Sequence, residues 1–146
     1  MALADRVTHL VLRVHAQLYE RSDGRIGHRL IGVPTLMLRT TGRRSGATRT
    51  NSLVYASDGD RYLVVPSAGG APRAPGWLHN LRANPSVEVQ VGRERRPAIA
   101  EVVARGEPDF DRHWKAVNDN NRGRYDGYQS RTERQIPVVV LTPEAR

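Results

Sequence analysis

The sequence predicts a mainly β fold with helices added (β+α): a small antiparallel barrel of about six strands, with helices packed outside. Three observations lead there. Strand-like apolar runs are separated by short glycine-marked turns, which force neighbouring strands to be antiparallel. No strand–helix–strand alternation appears, so a parallel doubly wound sheet does not fit. Helical periodicity is confined to the beginning of the chain and two short later stretches.

At 146 residues the chain reads as one domain, long enough to bury a core, with residues 1–31 as an N-terminal helix and loop and 32–146 as the barrel. Leu3, Val7, Leu10, Val11, Val14 and Leu18 fall on one helical face, with Asp5, Arg6, Arg13 and Glu20 opposite. This segment, Leu3 to about Arg21, reads as a helix capping the sheet or as a basic amphipathic helix lying on a membrane surface. Strands then follow at Thr35–Thr40, Arg49–Ser57 and Arg61–Ser67, with Asp58-Gly59 as a type I′ hairpin signal between the last two. Pro75 opens a short helix through Asn84, and Pro85 stops it. Val87, Val89 and Val91 alternate with polar residues as a half-buried strand, and Pro97–Arg105 returns beside it. A second helix starts at Pro108 and runs to about Asn118. A polar segment, Asn118–Arg134, holds Tyr125 and Tyr128, and Ile136–Thr142 is the closing apolar strand.

Composition narrows the chemistry. There is no cysteine, which excludes disulfides, thiolate nucleophiles and cysteine-held metal sites. His9, His15, His28, His79 and His113 show no metal-ligand spacing, and no metal is expected. No apolar run reaches the ~18 residues of a membrane span, and no signal peptide is visible, so a cytosolic protein is expected, with peripheral membrane contact through the first helix as a further expectation. The net charge is +8, and of 23 basic residues only Lys115 is a lysine. Guanidinium forks suit the oxygens of phosphates and carboxylates. Nucleic acid is prompted by charge alone, because aromatics are 5% of the chain and do not interleave with the arginines.

One turn gathers these features. Thr41-Gly42-Arg43-Arg44-Ser45-Gly46 lies between two strands, with Arg49 and Asn51 just after it. Glycines allow backbone N–H groups to converge, and arginines and hydroxyls can then hold an anion. The other reading of the turn is a solvated basic hairpin tip. A second loop, Ser67-Ala68-Gly69-Gly70, allows close approach of backbone to a flat ligand.

Taken in order, four stretches resemble the deazaflavin (coenzyme F420)-dependent nitroreductase family of the split β-barrel flavin-binding class. They are the Gly42–Asn51 turn, the Ser67–Gly70 loop, Pro75-Gly76-Trp77-Leu78-His79-Asn80 through Pro85, and Tyr125 with Tyr128-Gln129-Ser130 and Ile136-Pro137. The resemblance implies an F420H2-dependent reductase passing a hydride to a quinone, an enone or a nitro compound. It implies that Arg43, Arg44, Ser45 and Arg49 hold the cofactor's phosphate and oligoglutamate tail, with Gly46 and Asn51 as further cofactor-binding residues. Ser67, Ala68, Gly69 and Gly70 would lie against the deazaflavin, and Trp77 and Asn80 would border it, Trp77 being core or pocket wall. Tyr125 and Tyr128 are the proton donors expected if they do more than pack. Members best known for nitro reduction carry an aromatic residue where this chain has Val54 and a tyrosine where it has Arg122, and a lysine is common at Ala68; a nitroaromatic is therefore expected to be a poor acceptor. A homodimer is a family expectation. A binding protein for F420 or for a hydrophobic ligand such as a fatty acid, without turnover, and an FMN-binding relative are the alternatives.

Overall fold

The structure, a computed structural model, describes residues 29–30 and 33–145. The strands are β1 (Arg29–Leu30), β2 (Val33–Thr41), β3 (Thr48–Val54), β4 (Ala56–Asp58), β5 (Arg61–Val64), β6 (Ser86–Val91), β7 (Glu94–Val103) and β8 (Val138–Pro143). Three helices interrupt them: α1 (Gly76–Ala83), α2 (Phe110–Asn120) and α3 (Arg124–Gln129). Every strand pairing is antiparallel, in the order β1-β2-β6-β7-β8-β5-β4, with β3 also on β2.

This order forces the sheet to curl. β3 pairs with β2 near one end of the path, β4 pairs with β5 at the other, and only Tyr55 separates β3 from β4 in sequence. Two strands one residue apart cannot lie at opposite edges of a flat seven-strand path, because the chain advances at most ~3.6 Å per residue. The edges therefore meet, and the result is a split barrel.

Alternation along the strands separates two apolar clusters. Leu36 and Leu38 of β2, Val87 and Val89 of β6, and Val139 and Leu141 of β8 enclose Trp77, Leu78 and Leu81 of α1. Leu63, Val138 and Val140, on the alternate positions of β5 and β8, pack with Phe110 and Val117 of α2 and Tyr125 of α3. β8 is thus covered on both faces, which is why it reads in sequence as an unbroken apolar run.

Several expectations change in detail. The predicted strand Arg49–Ser57 is two strands, because Tyr55 leaves the ladder and donates its N–H to Pro34 O at 3.2 Å instead. The Asp58-Gly59 hairpin pairs Asp58 with Arg61, so its central residues are Gly59 and Asp60, and only Gly59 has positive φ (61°). That is the pattern of a type II′ turn, with glycine first, in place of type I′. α1 starts one residue after Pro75 and ends before Asn84, which Pro85 holds extended. The polar segment contains a helix, α3, that its low apolar content concealed. The predicted N-terminal helix, Leu3 to Arg21, lies outside the described residues, and with it the expected membrane contact. No helix among the described residues is long and apolar enough to cross a membrane.

Candidate active site

The basic turn is shorter and tighter than its sequence suggests. Thr41 pairs with Thr48, leaving six loop residues, while Arg49 and Asn51 stand on β3. The loop closes on itself: Gly42 N–H donates to Ala47 O at 2.7 Å, Gly46 N–H to Gly42 O at 2.8 Å, and Ala47 N–H to Ser45 Oγ at 3.1 Å. A Cβ at Gly42 would come 2.8 Å from Ser45 Oγ and 3.1 Å from Ala47 O, crowding the atoms that close the turn. From α1, Asn80 fixes the whole loop. It is 7% exposed, its Oδ1 accepts the Arg43 N–H at 3.1 Å, and its Nδ2 donates to Thr40 Oγ1 at 3.1 Å. Asn80 therefore meets the site as a bracket between helix and turn.

An open groove of about 400 Å³ joins the Arg43–Ser45 turn, Arg49 and Asn51 of β3, and Trp77 and Asn80 of α1. Trp77 takes both expected roles: it is buried in the barrel cluster and also borders the groove. Arg43, Arg44 and Arg49 are exposed, and none of their guanidinium groups has a hydrogen bond or ion pair among the described residues. Three uncompensated cations on one concave surface are arranged to receive a polyanion.

The second loop carries three successive left-handed residues, Ala68 (φ 45°), Gly69 (φ 66°) and Gly70 (φ 84°). Its two glycines are not equivalent. A Cβ at Gly69 would meet nothing within 4 Å, whereas at Gly70 it would lie 2.6 Å from Tyr128 O. Gly69 thus faces open space, and Gly70 lets α3 approach. Sequence reasoning missed Arg134, whose Nε, Nη1 and Nη2 donate to Ala71 O, Pro66 O and Ser67 O at 2.9, 3.2 and 2.7 Å.

The two tyrosines separate. Tyr128 is half-buried, its ring 6.1 Å from that of Tyr125 and covered on one side by Arg131 at 5.8 Å. Tyr125 is 6% exposed inside the α2–β8 cluster. Burial first, then the neighbouring Tyr128, pushes its pKa well above the ordinary tyrosine value, while a hydrogen bond with Asn121 opposes the shift. Neither tyrosine borders the arginine groove. Of the residues expected to bind together, the structure joins Arg43, Arg44, Ser45, Arg49, Asn51, Trp77 and Asn80. It places Gly46 at the closing corner of the turn, and Ser67–Gly70 with Tyr128 at a separate corner.

A further cluster, distant in sequence from these motifs, ties α2 to the β4–β5 hairpin. Asp58 accepts from Arg112 Nη1 at 2.8 Å and from Arg61, and His113 Nε2 lies 3.4 Å away. The Arg112 hydrogen bond, opposed by desolvation and aided by Arg61, holds the Asp58 carboxyl at about 2.

With this geometry in place, comparison with known proteins is decisive. Residues 11–143 match the family model of the F420H(2)-dependent quinone reductases. The chain belongs to that family. An F420H(2)-dependent quinone reductase of Mycobacterium tuberculosis H37Rv is 55% identical over 133 residues, covering 90% of this chain and 89% of the relative. A solved F420-H2 dependent reductase, FDR-A, is 35% identical with a TM-score of 0.66, covering 74% of this chain and 93% of its own. A structure described as a domain-swapped dimer is 30% identical with a TM-score of 0.68, covering 96% and 99%. The family makes this quinone reductase relative an F420H2-dependent oxidoreductase with coenzyme F420 as its cofactor. The residues are compatible with that cofactor: three uncompensated arginines would suit an anionic tail, and the open backbone at Gly69 would admit a flat ring.

Proposed function

We propose that the chain reduces a quinone with F420H2, holding the cofactor's tail at the arginine groove and its ring against the Ser67–Gly70 loop. One observation carries the reading: Arg43, Arg44 and Arg49 share a concave surface, and none of their guanidinium groups has a partner among the described residues. The bound cofactor supplies two electrons as a hydride. Arg43, Arg44 and Arg49 anchor phosphate and carboxylate oxygens, with Ser45 and Asn51 as shorter polar contacts. Asn80 keeps the turn in place, and Trp77 closes the groove's apolar wall.

Hydride arrival on a quinone leaves an oxyanion that needs a proton, and Tyr128 is the donor we assign. Its backbone already abuts Gly70, and its side chain is half-exposed. Tyr125, the other tyrosine expected to donate, is buried behind it in the apolar cluster and packs against the Tyr128 ring. Val54 and Arg122 accord with a quinone, in place of a nitroaromatic, as acceptor, and the relatives named quinone reductases support the same choice. Phe keeps the ring and removes the hydroxyl. Tyr128→Phe should therefore slow quinone reduction by roughly 10²-fold or more at unchanged cofactor affinity. Full rates in this variant would assign the proton to solvent. The relative described as a domain-swapped dimer supports a homodimer here, which sedimentation velocity checks.

A further inference from the structure

The Ser67–Ala71 loop is not self-supporting. Only two hydrogen bonds lie within it, Gly70 N–H to Ser67 O and Ala71 N–H to Ala68 O. Against them stand three consecutive left-handed residues, of which Ala68 carries a side chain in a conformation that L-residues adopt at a cost. From outside, α3 packs against Gly70, and the hydrogen-bonding support comes from one planar cation. The carbonyls of Pro66, Ser67 and Ala71 converge on the Arg134 guanidinium at 3.2, 2.7 and 2.9 Å. Arg134 is held in turn by Gln129, whose Nε2 donates to Arg134 O at 2.8 Å and whose Oε1 accepts the Ile136 N–H at 2.9 Å. No acidic side chain among the described residues pairs with this guanidinium, so backbone dipoles alone balance it.

We infer that Arg134, set by Gln129, is a positioning residue for the deazaflavin ring: its fork fixes the backbone path of Ser67–Ala71 and so the surface the ring rests on. This inference rests on the F420 reading above. A lysine cannot replace it, since a point charge on a flexible stem does not serve three carbonyls in one plane.

The experiment compares wild type, Arg134→Ala and Arg134→Lys. Affinity is measured for F420 and for the tailless deazaflavin carrying only its ribityl chain, together with amide hydrogen exchange in the cofactor-free protein. Arg134→Ala should lose affinity for both ligands by the same factor, ~10-fold or more, since the loop meets only the ring. Added guanidinium ion should restore part of that loss, and Arg134→Lys should resemble Arg134→Ala. Exchange should quicken at Ser67–Ala71 while β8 stays protected, which shows that the fold is intact. Unchanged affinity for the tailless ligand in Arg134→Ala, or full affinity in Arg134→Lys, would overturn the inference. Wild-type protein that binds neither deazaflavin would overturn the cofactor reading and ring positioning with it. That case is recognised by an exchange effect of Arg134→Ala that persists without any ligand affinity.

Discussion

The turn Gly42–Ala47 and the loop Ser67–Ala71 both depend on arginine, in opposite ways. In the turn, the carbonyls of Gly42 and Ala47 are taken by Gly46 and Gly42 N–H groups, and the guanidinium groups of Arg43, Arg44 and nearby Arg49 make no hydrogen bond among the described residues, so they stay available. In the loop, the carbonyls of Pro66, Ser67 and Ala71, which flank the left-handed Ala68–Gly70, converge, and Arg134 arrives from 67 residues along the chain to bind them. An arginine beside a closed turn can bind a ligand, whereas one on which several carbonyls converge becomes part of the structure. Local hydrogen bonding, which charge counts do not reveal, decides between the two.

The largest test of this contrast is at the two adjacent glycines. Gly70→Ala should destabilise severely, because its Cβ would lie 2.6 Å from the Tyr128 carbonyl in addition to the positive-φ strain. Gly69→Ala meets no atom within 4 Å and should cost only the left-handed strain, about 1–2 kcal/mol. Thermal melts of the two variants decide this, and equal losses would contradict the packing of α3 against the loop.

A smaller effect is expected at the turn. Arg44→Gln should weaken F420 binding by about 1.5–3 kcal/mol, the range for a lost charge-assisted contact, and leave the melting temperature unchanged. A drop in stability without a change in affinity would move Arg44 to the structural class of Arg134.

The smallest effect belongs to Asp58, which engages two further structural arginines. Its folded-state pKa of about 2 lies below the ordinary 3.8, so its contribution is complete above about pH 4 and is lost as pH falls toward 2. Wild type should therefore lose stability more steeply than Asp58→Asn across that window, with quinone reduction at neutral pH alike in both. Parallel acid unfolding curves would remove the Asp58 cluster from the account.

Much of this was legible in the sequence, and the gaps have physical reasons. β8 announced itself because a strand covered on both faces is apolar throughout, and the arginine turn did so through its bracketing glycines. The break at Tyr55 was not legible: Arg49–Ser57 has strand character throughout, and only closure of the barrel makes the chain change partners there. α3 was hidden because Tyr125 is its one fully buried residue, leaving no apolar stripe to read. Arg134 carried no signal of its own, since its role depends on the carbonyls of Pro66, Ser67 and Ala71, which only the folded chain brings to it. The sequence named Tyr125 and Tyr128 together, yet the helix buries Tyr125 in the apolar cluster and leaves Tyr128 half-buried at its edge.

The central claim is that Arg43, Arg44 and Arg49 grip a polyanionic tail, and cofactor titration at low and high salt tests it most directly. Fluorescence titration should show F420 binding more tightly than FMN, with an affinity that falls as salt screens the arginine cluster. FMN binding as tightly as F420, or an F420 affinity indifferent to salt, would contradict it.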